Sequence, residues 1–469
     1  MAHRKVIGMA IGLPTTLGAY EFLHSTISPS PPLPLEYSPT MLSIHYANKP
    51  FTLLTRVLTV ASKIPPLLIN NSPEKLTSTL ISLGPAWIKF GQQLSIRPDI
   101  IPPHYLTGLS RLHDNCPSFP DEEAFAIMES ELSSPPSEIF HPGSLTRVAA
   151  ASLGQVYRGR LLSTGESVAV KVQRPGISSA VSLDLYIARL ICQAADVLVP
   201  MVSEQKSMYV QLCDCFAGGS WGELDYIREG KNQELFRHEL GKRGVKVKIP
   251  RVHSELHPSS SKILITSWVD GVKLSSCPPS VINRLIPVGV ELFLTQLLDI
   301  GKFHSDPHPG NLLVVTGEDG EPSLSLIDFG LCADVDDRER RAMTGAIVNL
   351  LRGDYELLIR RDAKELGFLD MAYDTREIEP LLTKVLRDGL LEGGSNLRKR
   401  KDKLKAISGE LNEIFFKYEF SVPPFFALVT RGLGLLEGIA LKGDEEFDIF
   451  KAAMPYAKRR AKIIFGYQG

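Results

Sequence analysis

At 469 residues the chain is long for one domain, and its 43% hydrophobic content suffices for a sizeable core. A formal net charge of −1 supplies no overall attraction for nucleic acid. The six cysteines are scattered, and the close pair Cys213 and Cys215 has no second pair to complete a zinc site, so all six read as reduced thiols. No internal repeat is evident.

Residues 1–5 are basic, residues 6–20 mostly apolar, and the first acidic side chain is Glu21. The apolar run is shorter than the ~20 residues a transmembrane helix needs. It reads as an organelle-targeting segment, a signal-like anchor or a short amphipathic helix. A Pro/Ser-rich linker follows over residues 28–39. The segment around Lys89-Phe90-Gly91-Gln92 then reads as a helix. Lys89 and Gln92, three apart, share one face, and Trp87, Ile88 and Leu94 supply apolar surface beside it. On its own this is a core-packing helix with two solvated polar residues.

Further along, Val168-Ala169-Val170-Lys171-Val172 predicts a strand carrying a lysine. Just before it stands a loop with Ala149, Ala150, Ala151, Ser152, Gly154 and Val156. In the Gly-rich phosphate loop of protein kinases, G-x-G-x-x-G-x-V, the first two glycines align with Ala149 and Ala151, and only Gly154 and Val156 match. Alanine restricts φ where glycine does not, so altered nucleotide handling is expected. An acidic helical run covers residues 223–234, with Glu223, Asp225 and Glu229. Residues 245–249 and 262–266 predict late strands, and residues 268–272 a hinge.

The chemistry concentrates in His304-Ser305-Asp306-Pro307-His308-Pro309-Gly310-Asn311, followed after a predicted hairpin by Asp328-Phe329-Gly330. Residues 312–315 and 324–327 form its strands and 317–320 its turn. Phosphoryl transfer from ATP needs hard oxygen ligands for magnesium beside a group that orients the nucleophile. In protein kinases an Asp of the catalytic loop does the latter, and an Asn and the Asp of Asp-Phe-Gly hold the metal. That pattern assigns Asp306 as the base and Asn311 and Asp328 as metal ligands, with Lys171 on the phosphates. By analogy Glu229 is the helix glutamate that positions Lys171. Loop, lysine strand, acidic helix, Asp-Asn loop and Asp-Phe-Gly stand in the order of a kinase.

Three further segments make the chain resemble the UbiB/aarF (ABC1) family of atypical kinases. They are the K-x-G-Q motif of Lys89, Gly91 and Gln92 with its Arg97-Pro98-Asp99 continuation, the alanine-rich loop, and the E-x-D motif of Glu223 and Asp225. The match covers roughly residues 50–460, and ordinary kinases lack the first two segments. The resemblance implies that the K-x-G-Q helix folds over the nucleotide mouth as a gate, with Lys89 paired to Glu223 or Asp225, because partly buried charges need partners. It implies Mg-ATP bound between two lobes, with ATP and Mg2+ as the cofactors. It also implies a role in isoprenoid quinone or prenyl-lipid metabolism at an organelle membrane, plastid or mitochondrial. Residues 422–438 lean toward plastid members. Partners expected are a small or lipid-like substrate, the membrane surface and a protein complex of lipid biosynthesis; nucleic acid is not expected.

One departure bears on the substrate. No Ala-Pro-Glu element follows Asp-Phe-Gly; residues 336–351 predict a helix with Ala342, Ala346, Ile347 and Leu350 on its apolar stripe. A peptide-binding activation segment is poorly supported, which favours ATP hydrolysis or a small acceptor over protein substrates. A basic run, residues 398–405, reads as a solvated helix face or as a contact for anionic lipid.

The expected fold is α+β and two-lobed, protein-kinase-like. A targeting or anchor segment and linker span 1–40, a helical K-x-G-Q region 41–140, an N-lobe 141–272, a C-lobe core 273–370 and a helical extension 371–469, with a flexible joint at 389–395. The expected function is an atypical kinase or ATPase. The alternatives are a catalytically weak nucleotide-binding switch or lipid-handling scaffold, and a phosphotransferase of the aminoglycoside or choline kinase type. The K-x-G-Q and E-x-D motifs argue against the last of these.

Overall fold

A computed structural model describes residues 21, 30–63, 72–95, 103–110, 112, 118–198, 209–256, 260–305, 310–317, 320–390 and 424–465. The N-terminal segment 1–20, Arg97-Pro98-Asp99, Asp306, residues 391–395 of the expected joint and the basic run 398–405 lie outside the described residues. The chain divides into two compact units, one of residues 1–228 and 253–268, the other of residues 229–252 and 269–469.

The first unit begins with helices that start on proline. They are α1 (Pro39–Tyr46), α2 (Pro50–Lys63), α3 (Pro73–Leu83), α4 (Pro85–Leu94) and α5 (Pro103–Ser110). Proline suits a first helical position because its φ is already helical and its missing N–H would have no partner there. Between α3 and α4, Gly84 takes φ +110° and its N–H closes on the carbonyl of Leu80, so one helix ends and Pro85 opens the next. Gly91 sits where α3, α4 and Leu112 meet. A Cβ there would press on Leu112 and stand 2.7 Å from Leu80, so the glycine of the K-x-G-Q motif is a packing residue. Leu80, Ile88, Leu109 and Leu112 form the small core at that point.

Helix α6 (Asp121–Leu132) precedes the sheet of this unit, which has strands β1 (Thr146–Ala150), β2 (Gly154–Arg160), β3 (Ser167–Gln173) and β5 (Ile263–Ser267) in the order β1-β2-β3-β5, all antiparallel. Period-2 alternation turns Val168, Val170 and Val172 inward, fully buried against Ala124 and Met128 of α6. Lys171 therefore faces the other way, opposite Val156 of β2. Helices α7 (Ile177–Leu198) and α8 (Tyr209–Gly222) pack together and against α4 around Val181, Leu185, Ala217 and Trp221.

The second unit takes most of α9 (Tyr226–Lys242), the helix of the acidic run. Its centre is α10 (Pro279–Leu294), which continues as a π-helical turn, Thr295–Ile300. Among the described residues, Pro279–Ile300 is the helix long and apolar enough to cross a membrane, yet 67% of its apolar window is buried in this core. Its buried residues meet α13 (Pro424–Ala440) and α14 (Ile449–Phe465) through Val429, Leu436, Ile439 and Tyr456. Strands β4 (Val247–Lys248), β6 (Val272–Lys273), β8 (Leu312–Thr316) and β9 (Pro322–Leu326) form a sheet in the order β4-β9-β8-β6. A two-stranded ribbon pairs β7 (Lys302–His304) with β10 (Cys332–Asp334).

Strand β4, within the late strand expected at residues 245–249, lies outside the sheet of the lysine strand. It runs parallel to β9, with Val247 opposite Leu324, and Ser325 Oγ donates to the Lys248 carbonyl at 2.9 Å. Gly244 at φ +71° turns the chain out of α9 toward this partner. Local alternation gives a strand but not its neighbour. Helix α11 (Asp337–Arg352) follows β10 and opens with a capping box between Asp336 and Glu339. Ala342 of the expected stripe is buried, and Ala346 and Ile347 pack on the core. Helix α12 (Glu379–Leu390) comes before the C-terminal pair.

Candidate functional site

The β8–β9 hairpin determines where the metal-ligand candidates stand. Leu312 pairs with Leu326, and the Ile327 N–H donates to the Asn311 carbonyl at 3.0 Å. Asn311 and Asp328 thus leave the same end of one hairpin. Asp328 has φ 66°, a left-handed conformation that costs an L residue about 1–2 kcal/mol. Its neighbours hold it there. The Gly330 N–H donates to Asp328 Oδ1 at 3.1 Å, and His304 Nε2 donates to the Asp328 carbonyl at 2.5 Å. Since a carbonyl only accepts, Nε2 carries the proton. His304 is itself fixed: it is buried, and its backbone N–H meets Gln296 Oε1 at 2.9 Å. Phe329 is fully buried, with its ring 5.5 Å from Phe236 and 5.8 Å from His304.

Glu229 and Asn232, three apart on α9, attend the same turn. Asn232 Nδ2 donates to the Phe329 carbonyl at 3.2 Å. Glu229 is 3% exposed, and a Cβ on Gly330 would sit 3.4 Å from both Glu229 Oε2 and Asp328 Oδ1. Two carboxylates therefore flank Gly330. Among the described residues no cluster of three or more His, Cys, Asp or Glu side chains could hold a metal. Asn311 and Asp328 offer two oxygen donors, a set that would suit magnesium.

Asp306 lies outside the described residues, but both ends of its segment are anchored. Ser305 donates to the Leu331 carbonyl through its N–H at 3.0 Å and its hydroxyl at 3.2 Å. At the other end Asn311 is tied to Ile327. The β7–β10 pairing, His304 opposite Cys332, locks the start of the Asp306 segment to the strand after Asp-Phe-Gly.

In the first unit Ala149 and Ala150 end β1, with a bulge after Arg147, and the Ala151 N–H closes the turn on the Gly154 carbonyl at 2.8 Å. Arg174, which sequence reading did not single out, grips this turn. Its guanidinium donates to the Ala151 carbonyl at 2.9 Å and the Ser152 carbonyl at 2.9 Å. Gly154 is required by close approach: a Cβ would collide with the Val172 carbonyl and stand 2.8 Å from the Tyr226 hydroxyl. The half-buried Lys171 Nζ lies 5.1 Å over the Tyr226 ring, a cation–π contact. Gln173 Nε2 bridges the carbonyls of Leu224 at 2.5 Å and Ser261 at 2.9 Å, tying the lysine strand to the E-x-D segment. Arg174 and Gln173 follow Lys171 directly, but nothing in a strand-end pattern signals which distant carbonyls they meet. Lys171 and Glu229 fall in different compact units.

The K-x-G-Q helix and the E-x-D segment meet in the same unit. Lys89 forms an ion pair with Glu223, their side chains 16% and 11% exposed. Asp225 does something else: its Oδ1 accepts from the Ile227 and Arg228 N–H groups at 2.9 and 3.2 Å, starting α9. Gln92 is buried and donates to the Leu112 carbonyl at 2.9 Å. Arg56 adds a two-pronged contact with buried Asp184, at 2.6 and 2.7 Å, between α2 and α7.

Comparison with known proteins places the chain in a family. Residues 111–361 match the ABC1 atypical kinase-like domain. The chloroplastic "activity of bc1 complex kinase 3" of Arabidopsis thaliana is 36% identical over 90% of this chain and 60% of its own length. A chloroplastic aarF domain-containing protein kinase of the same plant is 36% identical over 82% of this chain and 53% of its own length. An uncharacterized Synechocystis protein is 34% identical over 91% of this chain and 63% of its own length. The chain thus spans just over half to just under two thirds of the length of these curated relatives. Among solved structures, the Mycobacterium tuberculosis protein Rv3197, determined in complex with erythromycin, aligns over 77% of this chain and 90% of its own, with a TM-score of 0.51 and 22% identity. The family match and that likeness together bear out the α+β kinase-like fold. The resemblance read from the motifs is borne out as well: the chain belongs to the ABC1 atypical kinase-like family.

Proposed function

We propose that the chain is an atypical kinase or ATPase that uses ATP with magnesium and acts on water or on a small, lipid-like acceptor in a plastid. The observation that carries this reading is the β8–β9 hairpin. It sends Asn311 and Asp328 off one end and holds Asp328 in a left-handed conformation through His304 and Gly330. Strain kept in place by neighbouring bonds belongs to functional positions. Asn311 and Asp328 would hold magnesium, which would supply positive charge to offset that of the phosphates. Lys171 contributes positive charge to the phosphates, and the alanine-rich turn covers them. Asp306 accepts the proton of the attacking water or hydroxyl. Each of these groups orients or stabilises charge, which is most of what phosphoryl transfer asks of a protein.

The acceptor class is supported by α11. This helix starts seven residues after Gly330 on its own capping box, where an extended peptide platform would otherwise lie. Two relatives named as chloroplastic support the plastid. A role in isoprenoid quinone or prenyl-lipid metabolism at the membrane, with Lys89–Glu223 as a gate, is the finer part of the proposal.

Magnesium-dependent release of phosphate from ATP, abolished in Asp328→Asn, is the expected result; equal turnover in the variant would sink the reading. A second reading is a nucleotide-binding switch with little turnover. It is favoured by Arg174, whose bonds to Ala151 and Ser152 restrict the phosphate-covering turn. Binding of ATP without turnover, with or without anionic liposomes, would select it.

A further inference from the structure

Away from the hairpin, in the same compact unit, α11 and the segment of residues 361–371 border a solvent-open cavity of about 580 Å3. Arg338, Arg341 and Arg361 line it, with Ala342, Gly345 and Met371 as its apolar wall. Two acids also reach it, Asp337 and Glu365. Asp337 is taken by Arg340. Arg361 is oriented from behind: its Nε and Nη2 donate to Asp362 Oδ1 at 2.9 and 2.7 Å. Asp362 is fully buried and accepts from Asn349 Nδ2 on its other oxygen at 2.6 Å. Arg338 and Arg341 stand three apart on one face of α11, both exposed, and neither is paired with a carboxylate of the described residues.

The wall therefore carries two unmatched guanidinium forks and a third held in position, against Glu365 as the one acid not committed elsewhere. Guanidinium forks match phosphate oxygens two at a time. Met371 is 63% exposed, and a flexible thioether beside Ala342 suits a compact hydrocarbon group. We infer that this cavity is a second binding site, for a phosphate group joined to a short apolar moiety, separate from Asn311 and Asp328. Helix α11 follows the Asp-Phe-Gly strand β10 directly, so occupancy bears on the element that leaves the catalytic hairpin. The inference does not rest on the proposed ATP chemistry.

Titration calorimetry of the full chain with dioctanoyl phosphatidate, inorganic phosphate and octanoate tests it. The phosphatidate is expected to bind most tightly, and Arg338→Glu with Arg341→Glu to weaken it by at least about tenfold, the scale of one lost charge-assisted contact. Arg338→Lys with Arg341→Lys should fall between, since lysine keeps the charge and loses the fork. These are exposed helix positions, and circular dichroism checks that each variant folds. Lys171→Ala should leave phosphatidate binding unchanged. Four outcomes would overturn the inference. They are equal affinity in wild type and the Glu variant, no binding of any probe, inorganic phosphate binding as tightly as phosphatidate, and loss of probe binding in Lys171→Ala.

Discussion

Among the described residues two non-glycines have positive φ, Ser133 and Asp328. Ser133 ends helix α6, where a left-handed residue is ordinary. Asp328 ends no helix, and its conformation is imposed by His304, Gly330 and the burial of Phe329. Asparagine tolerates the left-handed region as well as aspartate does. Asp328→Asn should therefore leave stability within about 0.5 kcal/mol in urea unfolding while ATP turnover drops by about 100-fold or more, as for other removed charge-stabilising groups. Unchanged turnover would show that this carboxylate does no chemistry. Gly154→Ala tests a different constraint. With the Val172 carbonyl in the way, the strands must part, and a loss of about 1–3 kcal/mol is expected. A loss below a few tenths would mean that the β2–β3 approach is slack. That Asn311 and Asp328 close one hairpin and that Lys171 lies on a strand was legible because those patterns are local. Arg174, Gln173, Tyr226 and the cap made by Asp225 were not, since their partners are backbone groups or rings that only folding brings near.

Helix α4 and the end of α8 are joined by Lys89 and Glu223, both mostly buried. Removing one partner leaves the other charge poorly solvated, the costly way to break such a pair. Lys89→Ala and Glu223→Ala should each cost about 1–3 kcal/mol, scaled down from a fully buried pair. The double variant should lose less than the sum, a coupling that chemical denaturation reads directly. Additive losses would show that the pair is not a connection at all. At α11, Asp336→Ala removes half of the capping box, with an expected loss of about 1 kcal/mol. The helices α4 and α11 were legible from their apolar stripes, and the hairpin from its turn residues. The place of β4 was not, because alternation along residues 245–249 says nothing of whether β5 or β9 lies alongside. The π-helical turn at 295–300 likewise leaves no mark in the apolar pattern of α10.

The division of the whole chain follows contacts rather than sequence order. Residues 229–252 belong with the second unit and residues 253–268 with the first. A reading along the chain assigns continuous spans, so an excursion of this kind is invisible to it. The apolar Pro279–Ile300 shows the same limit in reverse: composition alone would send it into a membrane, and packing against α13 and α14 makes it the core of a unit. For the whole molecule, the proposed use of ATP at the Asn311–Asp328 hairpin is open to a direct test. Magnesium-dependent ATP hydrolysis by the full chain, beside Asp328→Asn and with and without anionic liposomes, tests it most directly. Phosphate release that liposomes raise, and that both chelation of magnesium and the substitution abolish, is the expected result. Hydrolysis that persists at the wild-type rate in Asp328→Asn would contradict it.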